Sequence, residues 1–263
     1  MAGDPAMPLL RLQKISKRFG AVRALTDVDL DVPVGQVTAL VGDNGAGKST
    51  LIKVIAGIHP HDGGDILWQG RPVHIRSPRD AAALGIETVY QDLALADNLD
   101  IVQNMFLGRE VTKHFALDEE DMERKARDTL TSLQVTTVRS IRQPAASLSG
   151  GQRQSVAIAK AVLWNSKLVI MDEPTAALGV AQTRNVLDLI RRLADQGLAV
   201  LVVSHNMNDV FEVADRIAVM FLGRMAAIRP ASELDVPTVV DIMTTGTSTR
   251  LSDGPSGSGG AHD

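Results

Sequence analysis

A lysine and a serine follow a glycine-rich stretch in a spacing that can hold phosphate groups. Residues 40–50 read LVGDNGAGKST and fill the pattern G-x-x-x-x-G-K-[ST]. Glycines let backbone N–H groups turn towards phosphate oxygens, the lysine adds a positive charge, and the serine hydroxyl can hold Mg²⁺. A chance glycine-rich turn is disfavoured, because a strand-like run precedes the stretch and a helix-forming run follows it. The residues expected to contact a nucleotide are Gly42, Asn44, Gly45, Ala46, Gly47, Lys48, Ser49 and Thr50.

A pair of acidic residues, Asp172 and Glu173, ends an apolar run in the sequence LVIMDEP. A strand of that composition brings the pair to the carboxyl edge of a parallel sheet, where ligands of open α/β sheets bind. There Asp172 can hold Mg²⁺, and Glu173 can accept a proton from an attacking water, a role worth about 10²- to 10⁴-fold in rate. The alternative is that both acids only cap the next segment, which the strand before them disfavours.

A second glycine-rich stretch, LSGGQ at residues 148–152, opens a helical pattern. The N-terminus of a helix presents free backbone N–H groups and the positive end of the helix dipole. Ser149, Gly150, Gly151 and Gln152 can therefore bind an anion. The alternative is a glycine-rich helix cap with no ligand.

These residues need a scaffold, and the apolar runs of the chain indicate one. Short runs rich in Val, Ile and Leu alternate with helical patterns, at residues 37–41, 87–90, 168–172 and 198–204. Near-continuous apolar strands are typical of a parallel sheet covered by helices on both faces. The sequence therefore predicts an α/β fold with a mostly parallel sheet.

Helical patterns mark two further segments. Residues 93–146 include LDEEDMERKARDTLTSL and show no strong strand pattern, so they predict a helical insertion that ends near Pro144. A shorter helix is predicted with Ser77 as N-cap, Pro78 at the first helical position and Gly85 just after its end.

Composition limits the partners of the chain. Its 263 residues carry a formal net charge of -4 and no cysteine, so no basic surface favours nucleic acid and no disulfide framework is possible. No apolar stretch reaches the roughly 18 residues of a membrane span, and residues 1–8 lack the pattern of a signal peptide. We expect a cytoplasmic chain that another chain holds at any membrane where it works. Residues 252–263, rich in glycine and serine, are expected to form a flexible tail.

Together the glycine-rich loop, LSGGQ and the DE pair resemble the motifs of ABC ATPases, and the resemblance covers nearly the whole chain. Three further residues match positions of that family. Phe19 in KRFGAVRAL matches the aromatic residue that stacks on adenine, although an ordinary core phenylalanine is the alternative. Gln91 in VYQD matches the glutamine that reaches the metal and the attacking water, and His205 in VVSHN matches the histidine that contacts the γ-phosphate.

The resemblance implies ATP and Mg²⁺ as cofactors, with Glu173, His205 and Gln91 as catalytic residues and Ser49, Gln91 and Asp172 as metal ligands. It also implies a P-loop NTPase core with an antiparallel β portion near the N-terminus. The implied single ABC domain spans residues 9–251, with its core at about 9–92 and 147–230 and a helical subdomain at about 93–146. Because the chain has one set of motifs, a second copy or a related chain is expected to supply the facing LSGGQ in a head-to-tail dimer, with a homodimer preferred. The expected partners are integral membrane permease subunits, at the cytoplasmic face of the membrane.

Several stretches, among them ETVYQDLALADNLDIVQNMFLGRE and MDEPTAALGVAQT, are similar to the ATP-binding subunits of bacterial monosaccharide importers of the ribose, xylose and fructose type. Many of those subunits are two fused cassettes, so the chain resembles the single-cassette branch. The implied function is ATP hydrolysis that energises import of a simple sugar, which an extracytoplasmic sugar-binding protein recognises. An exporter subunit and a soluble or regulatory ABC ATPase are the alternatives. Gly179 motivates the regulatory one, because it stands where the family usually has an aspartate that bridges the two subunits, although this importer subgroup carries a similar glycine.

Overall fold

The computed structural model describes residues 7–247, and strands and helices alternate through most of that range. The tail predicted at 252–263 and the end of the predicted domain lie outside the described residues. The strands are β1 Leu10–Phe19, β2 Val22–Val32, β3 Val37–Gly42, β4 Gly63–Trp68, β5 Arg71–Val73, β6 Ile86–Val89, β7 Thr112–Lys113, β8 Ala116–Leu117, β9 Leu168–Asp172, β10 Ala199–Val203, β11 Arg216–Phe221 and β12 Arg224–Pro230. The helices are α1 Lys48–Ile55, α2 Pro78–Leu84, α3 Ile101–Phe106, α4 Glu119–Ser132, α5 Gly150–Val162, α6 Val180–Asp195, α7 Met207–Val213 and α8 Val236–Thr245.

A six-stranded sheet forms the centre of the fold, with the strand order β12-β11-β3-β10-β9-β6. The strands from β11 to β6 are parallel, and β12 pairs antiparallel with β11. β3 and β10 are buried along their whole length, which explains why their sequences are continuous apolar runs. The predicted α/β class is confirmed, and the four apolar runs form β3, β6, β9 and β10 with ends shifted by at most one residue.

A second sheet lies near the N-terminus, with the order β2-β1-β4-β5 and antiparallel pairing throughout. Buried and exposed residues alternate along much of β1 and β2, as expected for strands that bury one face. Leu10 and Leu12 of β1 belong to the same buried cluster as Leu51 and Ile55 of α1. The predicted antiparallel portion is confirmed, and its packing on α1 places it beside the glycine-rich loop.

Helices α3 and α4 lie between β6 and α5, in the segment where helices are predicted. α4 buries Met122, Ala126 and Leu130, which are spaced four residues apart and so share one face of the helix. β7 and β8 form a short hairpin between the two helices, which the sequence pattern did not predict. The residues of both strands are exposed, so no alternation of apolar and polar residues marks them.

Helix ends follow their local signals. The side chain of Ser77 accepts a hydrogen bond from the N–H of Asp80, Pro78 opens α2, and Gly85 ends it in a left-handed conformation, as predicted. Within residues 7–247, none of the helices combines the length and the apolar character that crossing a membrane requires.

Candidate nucleotide site

The glycine-rich loop connects the end of β3 to the start of α1. Gly47 is the N-cap of α1 and adopts a left-handed conformation with a φ of 104°. A Cβ atom at Gly47 would lie 2.9 Å from the carbonyl oxygen of Ala24, closer than real Cβ atoms come. Backbone conformation and space therefore both require glycine at this position. The loop delivers Lys48, Ser49 and Thr50 into the first turn of α1.

Lys48 folds back over the loop that precedes it. Its Nζ donates hydrogen bonds to the carbonyl oxygens of Gly42, at 2.7 Å, and of Asp43, at 3.0 Å. Burial lowers the pKa of Lys48, while the carboxylates of Glu173, Asp43 and Asp172 act in the opposite direction. A phosphate group at the loop would add negative charge and so favour the protonated lysine.

An open cavity of about 500 Å³ lies over the loop. One wall is formed by the loop and the first turn of α1, through Asn44, Gly45, Gly47, Lys48, Ser49 and Thr50. Gly42 and the buried Ala46 do not line it. The opposite wall, which the sequence analysis missed, is formed by Val22, Arg23, Ala24, Leu222 and Gly223. Its two large apolar side chains are exposed, Val22 at the start of β2 and Leu222 in the turn between β11 and β12, and no sequence periodicity reveals this wall.

Phe19 ends β1 and is 44% exposed, so the alternative of an ordinary core residue is wrong. Its ring meets the ring of His59 edge to face, with 5.2 Å between the ring centres. The ammonium group of Lys17 lies 5.4 Å from the centre of the Phe19 ring. An exposed aromatic face is therefore present close to one end of β2, although Phe19 itself does not line the cavity.

The acid pair lies at the carboxyl end of β9. Asp172 ends the strand, and Glu173 follows with a φ of 52°, a left-handed conformation that is uncommon for a residue with a side chain. The N–H of Glu173 donates to the carbonyl oxygen of Val203 at 2.9 Å, which ties this turn to the end of β10. Burial raises the pKa of Asp172 and the nearby Glu173 adds to the rise, while Lys48 opposes it. Two neighbouring carboxylates in a half-buried position favour a bound cation.

His205 lies beyond the end of β10 and contacts Glu173 of the acid pair directly. Its Nδ1 is 2.8 Å from Oε1 of Glu173, and 72% of the histidine side chain is exposed. Gln91 follows β6 and is exposed. Because β3, β10, β9 and β6 are parallel neighbours, their carboxyl ends meet at one edge of the sheet. The structure therefore brings Lys48, Asp172, Glu173 and His205 together and has Gln91 at the same edge.

LSGGQ forms the start of α5, with Ser149 as N-cap. Ser149 Oγ accepts a hydrogen bond from the N–H of Gln152 at 3.4 Å, and Gln152 Oε1 accepts one from the N–H of Ser149 at 2.9 Å. This reciprocal pair is a capping box, which orders the first turn of the helix. Ser149, Gly150, Gly151 and Gln152 do not line the cavity over the glycine-rich loop.

The start of α5 packs closely on the start of α6. A Cβ atom at Gly151 would lie 2.9 Å from the Cβ of Gln182, and the side chain of Gln182 accepts a hydrogen bond from the N–H of Gly179 at 3.3 Å. Gly179 has a φ of -74° and no described atom within 4 Å of an added Cβ. Neither conformation nor space therefore requires glycine at position 179.

Residues 25–176, more than half of the chain, match the protein family described as ABC transporter. The chain belongs to the ABC transporter family. In this ABC protein the matched region contains the glycine-rich loop, LSGGQ and the acid pair, so the resemblance on which the sequence interpretation rested is confirmed.

Several curated ABC relatives are sugar import proteins. The xylose/arabinose import ATP-binding protein XylG of Sulfolobus acidocaldarius is 47% identical over 236 residues, which are 90% of this chain and 94% of that protein. The fructose import ATP-binding protein FrcA of Rhizobium meliloti is 47% identical over 244 residues, with 90% and 94% covered. The putative ribose/galactose/methyl galactoside import ATP-binding protein 2 of Burkholderia cenocepacia is 39% identical over 242 residues, which are 91% of this chain and 47% of that protein. The predicted similarity to the sugar import group is confirmed.

Solved ABC cassettes have the same fold as this chain. A nucleotide-free ATP-binding cassette from an ABC transporter has a TM-score of 0.80 at 28% identity, and the match covers 89% of this chain and 96% of that one. An ATP-binding cassette of an ABC transporter in its ADP conformation has a TM-score of 0.80 at 30% identity, with 91% and 99% covered. The predicted P-loop NTPase fold is confirmed.

Proposed function

We propose that this chain binds and hydrolyses ATP to energise a membrane importer for a simple sugar. The observation that carries the proposal is the cluster of Lys48, Glu173 and His205 at the carboxyl edge of the sheet, beside the cavity over the glycine-rich loop. Support for a sugar as cargo comes from relatives named for import of xylose, arabinose and fructose, which match along nearly their whole length.

ATP is proposed to bind with its phosphates on the glycine-rich loop. The N–H groups of the loop and of the first turn of α1 face the phosphates, and Lys48 supplies a positive charge. The adenine lies towards the exposed ring of Phe19 and the apolar side chains of Val22 and Leu222. The residues assigned to this copy's ATP remain Phe19, Gly42, Asn44, Gly45, Ala46, Gly47, Lys48, Ser49 and Thr50.

The residues at the sheet edge fit Mg²⁺. The hydroxyl of Ser49, the carboxylate of Asp172 and the amide oxygen of Gln91 are oxygen donors, which Mg²⁺ prefers. Burial and Glu173 raise the pKa of Asp172. The positive charge of a bound cation would act in the opposite direction and favour the ionised carboxylate. When bound, the ion neutralises negative charge that develops on the phosphate oxygens.

Glu173 is proposed as the base that accepts a proton from the attacking water, and His205 as the contact of the γ-phosphate. The two side chains hold each other at 2.8 Å in the structure. Nucleotide binding therefore exchanges this contact for new contacts with water and phosphate. Lys48, already directed at the loop, keeps its charge beside the phosphates throughout.

A second copy of the chain is proposed to complete each ATP site. Ser149, Gly150, Gly151 and Gln152 form an ordered helix start outside the cavity. The capping box uses the N–H groups of Ser149 and Gln152, so the N–H groups of Gly150 and Gly151 and the hydroxyl of Ser149 are the groups proposed to meet phosphates that another copy holds. The head-to-tail dimer works at the cytoplasmic face of the membrane, beneath integral permease subunits, and an extracytoplasmic sugar-binding protein delivers the sugar. Nucleic acid is not proposed as a partner, because the chain has a formal net charge of -4.

The division into a core at about 9–92 and 147–230 and a helical subdomain at about 93–146 stays a proposal, within one ABC domain at 9–251. The helical part is proposed to meet the permease. Its contacts support transmission of movement, because Met105 of α3 and Leu130 of α4 share a buried cluster with Ile158 of α5, the helix that LSGGQ opens.

Affinity purification from native membranes in mild detergent tests this function, with partners identified by mass spectrometry. The bait is compared with the Glu173→Gln variant, in which ATP-dependent contacts should persist because the base is lost and the binding groups are kept. Recovery of a polytopic permease with a sugar-binding protein supports the importer. A permease without a binding protein points to an exporter, and recovery of the chain alone from the soluble fraction points to a soluble or regulatory ATPase.

A further inference from the structure

A buried carboxylate lies behind the proposed catalytic pair. Asp209, in the first turn of α7, is only 8% exposed. A buried carboxylate is unfavourable without a hydrogen-bond donor. Thr175 supplies one, because its Oγ1 donates to Oδ2 of Asp209 at 2.6 Å. A hydroxyl-to-carboxylate bond of this length belongs to the stronger, charge-assisted class.

This bond joins the two loops that carry Glu173 and His205. Thr175 lies two residues after Glu173, and Asp209 lies four residues after His205. The same loops are joined at two other points, by the bond from the N–H of Glu173 to the carbonyl oxygen of Val203 and by the contact of His205 with Glu173. The loops are thus linked near β10, at the reacting side chains and behind them.

The three links differ in what catalysis requires of them. The contact of His205 with Glu173 joins the two side chains proposed to reach phosphate and water, and 72% of the histidine side chain is exposed. The proposed roles therefore require this link to open during the reaction. The link from Thr175 to Asp209 uses neither reacting group and ends on a buried carboxylate. It can therefore stay closed while the reacting side chains move.

We propose that the hydrogen bond between Thr175 and Asp209 is a brace that holds the loop of Glu173 in a fixed position relative to the loop of His205 during ATP hydrolysis. Both residues are positioning residues, and the inference rests on the proposed roles of Glu173 and His205. Correct placement of a base is sensitive to shifts of about 1 Å, which can change a rate by roughly 10²-fold. The brace therefore acts on turnover, while ATP binding depends on the glycine-rich loop, which the hydrogen bond between Thr175 and Asp209 does not touch.

Two substitutions at position 175 test the brace in the purified full chain with Mg²⁺-ATP. Thr175→Val keeps the shape and removes the hydroxyl, and it should lower kcat by about 10- to 100-fold with KM for ATP within about twofold of wild type. Thr175→Ser keeps a hydroxyl and should restore most of kcat. Asp215→Asn is the control: Asp215 accepts bonds from the N–H of Val37 and from Arg191 at the opposite end of β3, so its loss should lower the thermal midpoint and leave kcat unchanged.

The double variant Thr175→Val/Asp209→Leu separates positioning from mere stability. Replacing both partners by apolar groups removes the unpaired buried carboxylate, so much of the thermal midpoint should return. A brace predicts that kcat nevertheless stays low, and recovery of kcat with stability would overturn it. A kcat for Thr175→Val within twofold of wild type would also overturn the brace, provided that Glu173→Gln abolishes turnover. If Glu173→Gln turns over like wild type, the proposed role of Glu173 fails first and the brace fails with it.

Discussion

Replacement of Gly47 by alanine is expected to damage both the stability of the chain and its ATP site. With a φ of 104°, Gly47 is in a region where a Cβ atom costs about 1–2 kcal/mol. The added Cβ would also lie 2.9 Å from the carbonyl oxygen of Ala24, which belongs to the backbone and cannot rotate away. Overpacking of this kind costs about 1–3 kcal/mol more. Gly47→Ala should therefore lower the free energy of unfolding by about 2–5 kcal/mol in total.

Two other glycines separate these causes. Gly45 and Gly108 each have a φ of 82° and no described atom within 4 Å of an added Cβ. Alanine at either position carries the conformational cost alone, about 1–2 kcal/mol. Gly45 lines the cavity and Gly108 does not. Gly108→Ala should therefore lose stability only, Gly45→Ala should lose similar stability and some ATP affinity, and Gly47→Ala should lose more of both.

Thermal unfolding and equilibrium titration with ATP measure the two effects. For a chain of this size, 1 kcal/mol shifts the thermal midpoint by roughly 2–4 °C, so Gly45→Ala and Gly108→Ala should melt about 2–8 °C below wild type. Gly47→Ala should melt clearly below both. If Gly47→Ala has the same thermal midpoint as Gly108→Ala, the close approach of the added Cβ to the carbonyl oxygen of Ala24 does not destabilise the fold. If it binds ATP as tightly as Gly108→Ala, the assignment of the loop is wrong.

Three substitutions address the charged groups. Glu173→Gln should lower kcat by about 10²- to 10⁴-fold in a steady-state assay while ATP affinity is kept, and turnover at the wild-type rate would show that another group is the base. Lys48→Ala should weaken ATP binding about tenfold or more in a titration, since a charge-assisted hydrogen bond is lost, and unchanged affinity would contradict the loop assignment. Asp172→Asn should raise the thermal midpoint at pH 7, because burial and Glu173 raise the pKa of Asp172 in the folded chain. The stability that wild type gains from the protonated carboxyl is complete below the ordinary aspartate pKa and is lost as pH rises through the raised value, so the variant's advantage should vanish in acid. Calorimetry from acid to neutral pH measures the difference in thermal midpoint between the variant and wild type, and a variant that melts below wild type at pH 7 would refute the prediction. In the same variant, Mg²⁺-dependent ATP hydrolysis should fall about 100-fold or more.

The parts of the fold that sequence predicts are those with strong local signals. β3 and β10 are buried on both faces, so their apolar runs are continuous and their ends fall within one residue of the prediction. Ser77 and Gly85 bound α2 through a side-chain cap and a left-handed residue, both readable from residue type. Ser149 likewise begins α5 with a capping box that its spacing to Gln152 predicts.

The parts that sequence did not predict depend on contacts between distant residues. β12 is half-buried, so its sequence shows neither a continuous apolar run nor a clear alternation of apolar and polar residues. The turn before it, which places Leu222 in the cavity wall, was therefore not predicted. The contact of His205 with Glu173 forms because two parallel strands end side by side, which local spacing cannot reveal. The bond from Thr175 to Asp209 spans 34 positions for the same reason.

The capping box of α5 has a consequence for the way two copies would come together. Ser149 Oγ already accepts a hydrogen bond from the N–H of Gln152, which occupies a lone pair and leaves the hydroxyl proton to be donated. A phosphate oxygen can accept a hydrogen bond from that hydroxyl without breaking any bond of the cap. The start of α5 is thus already ordered when the single chain has folded. The conformational entropy lost on association is therefore smaller than for a surface that must first become ordered. Docking of an ATP-loaded copy on this helix start is accordingly expected to behave as the meeting of two rigid bodies.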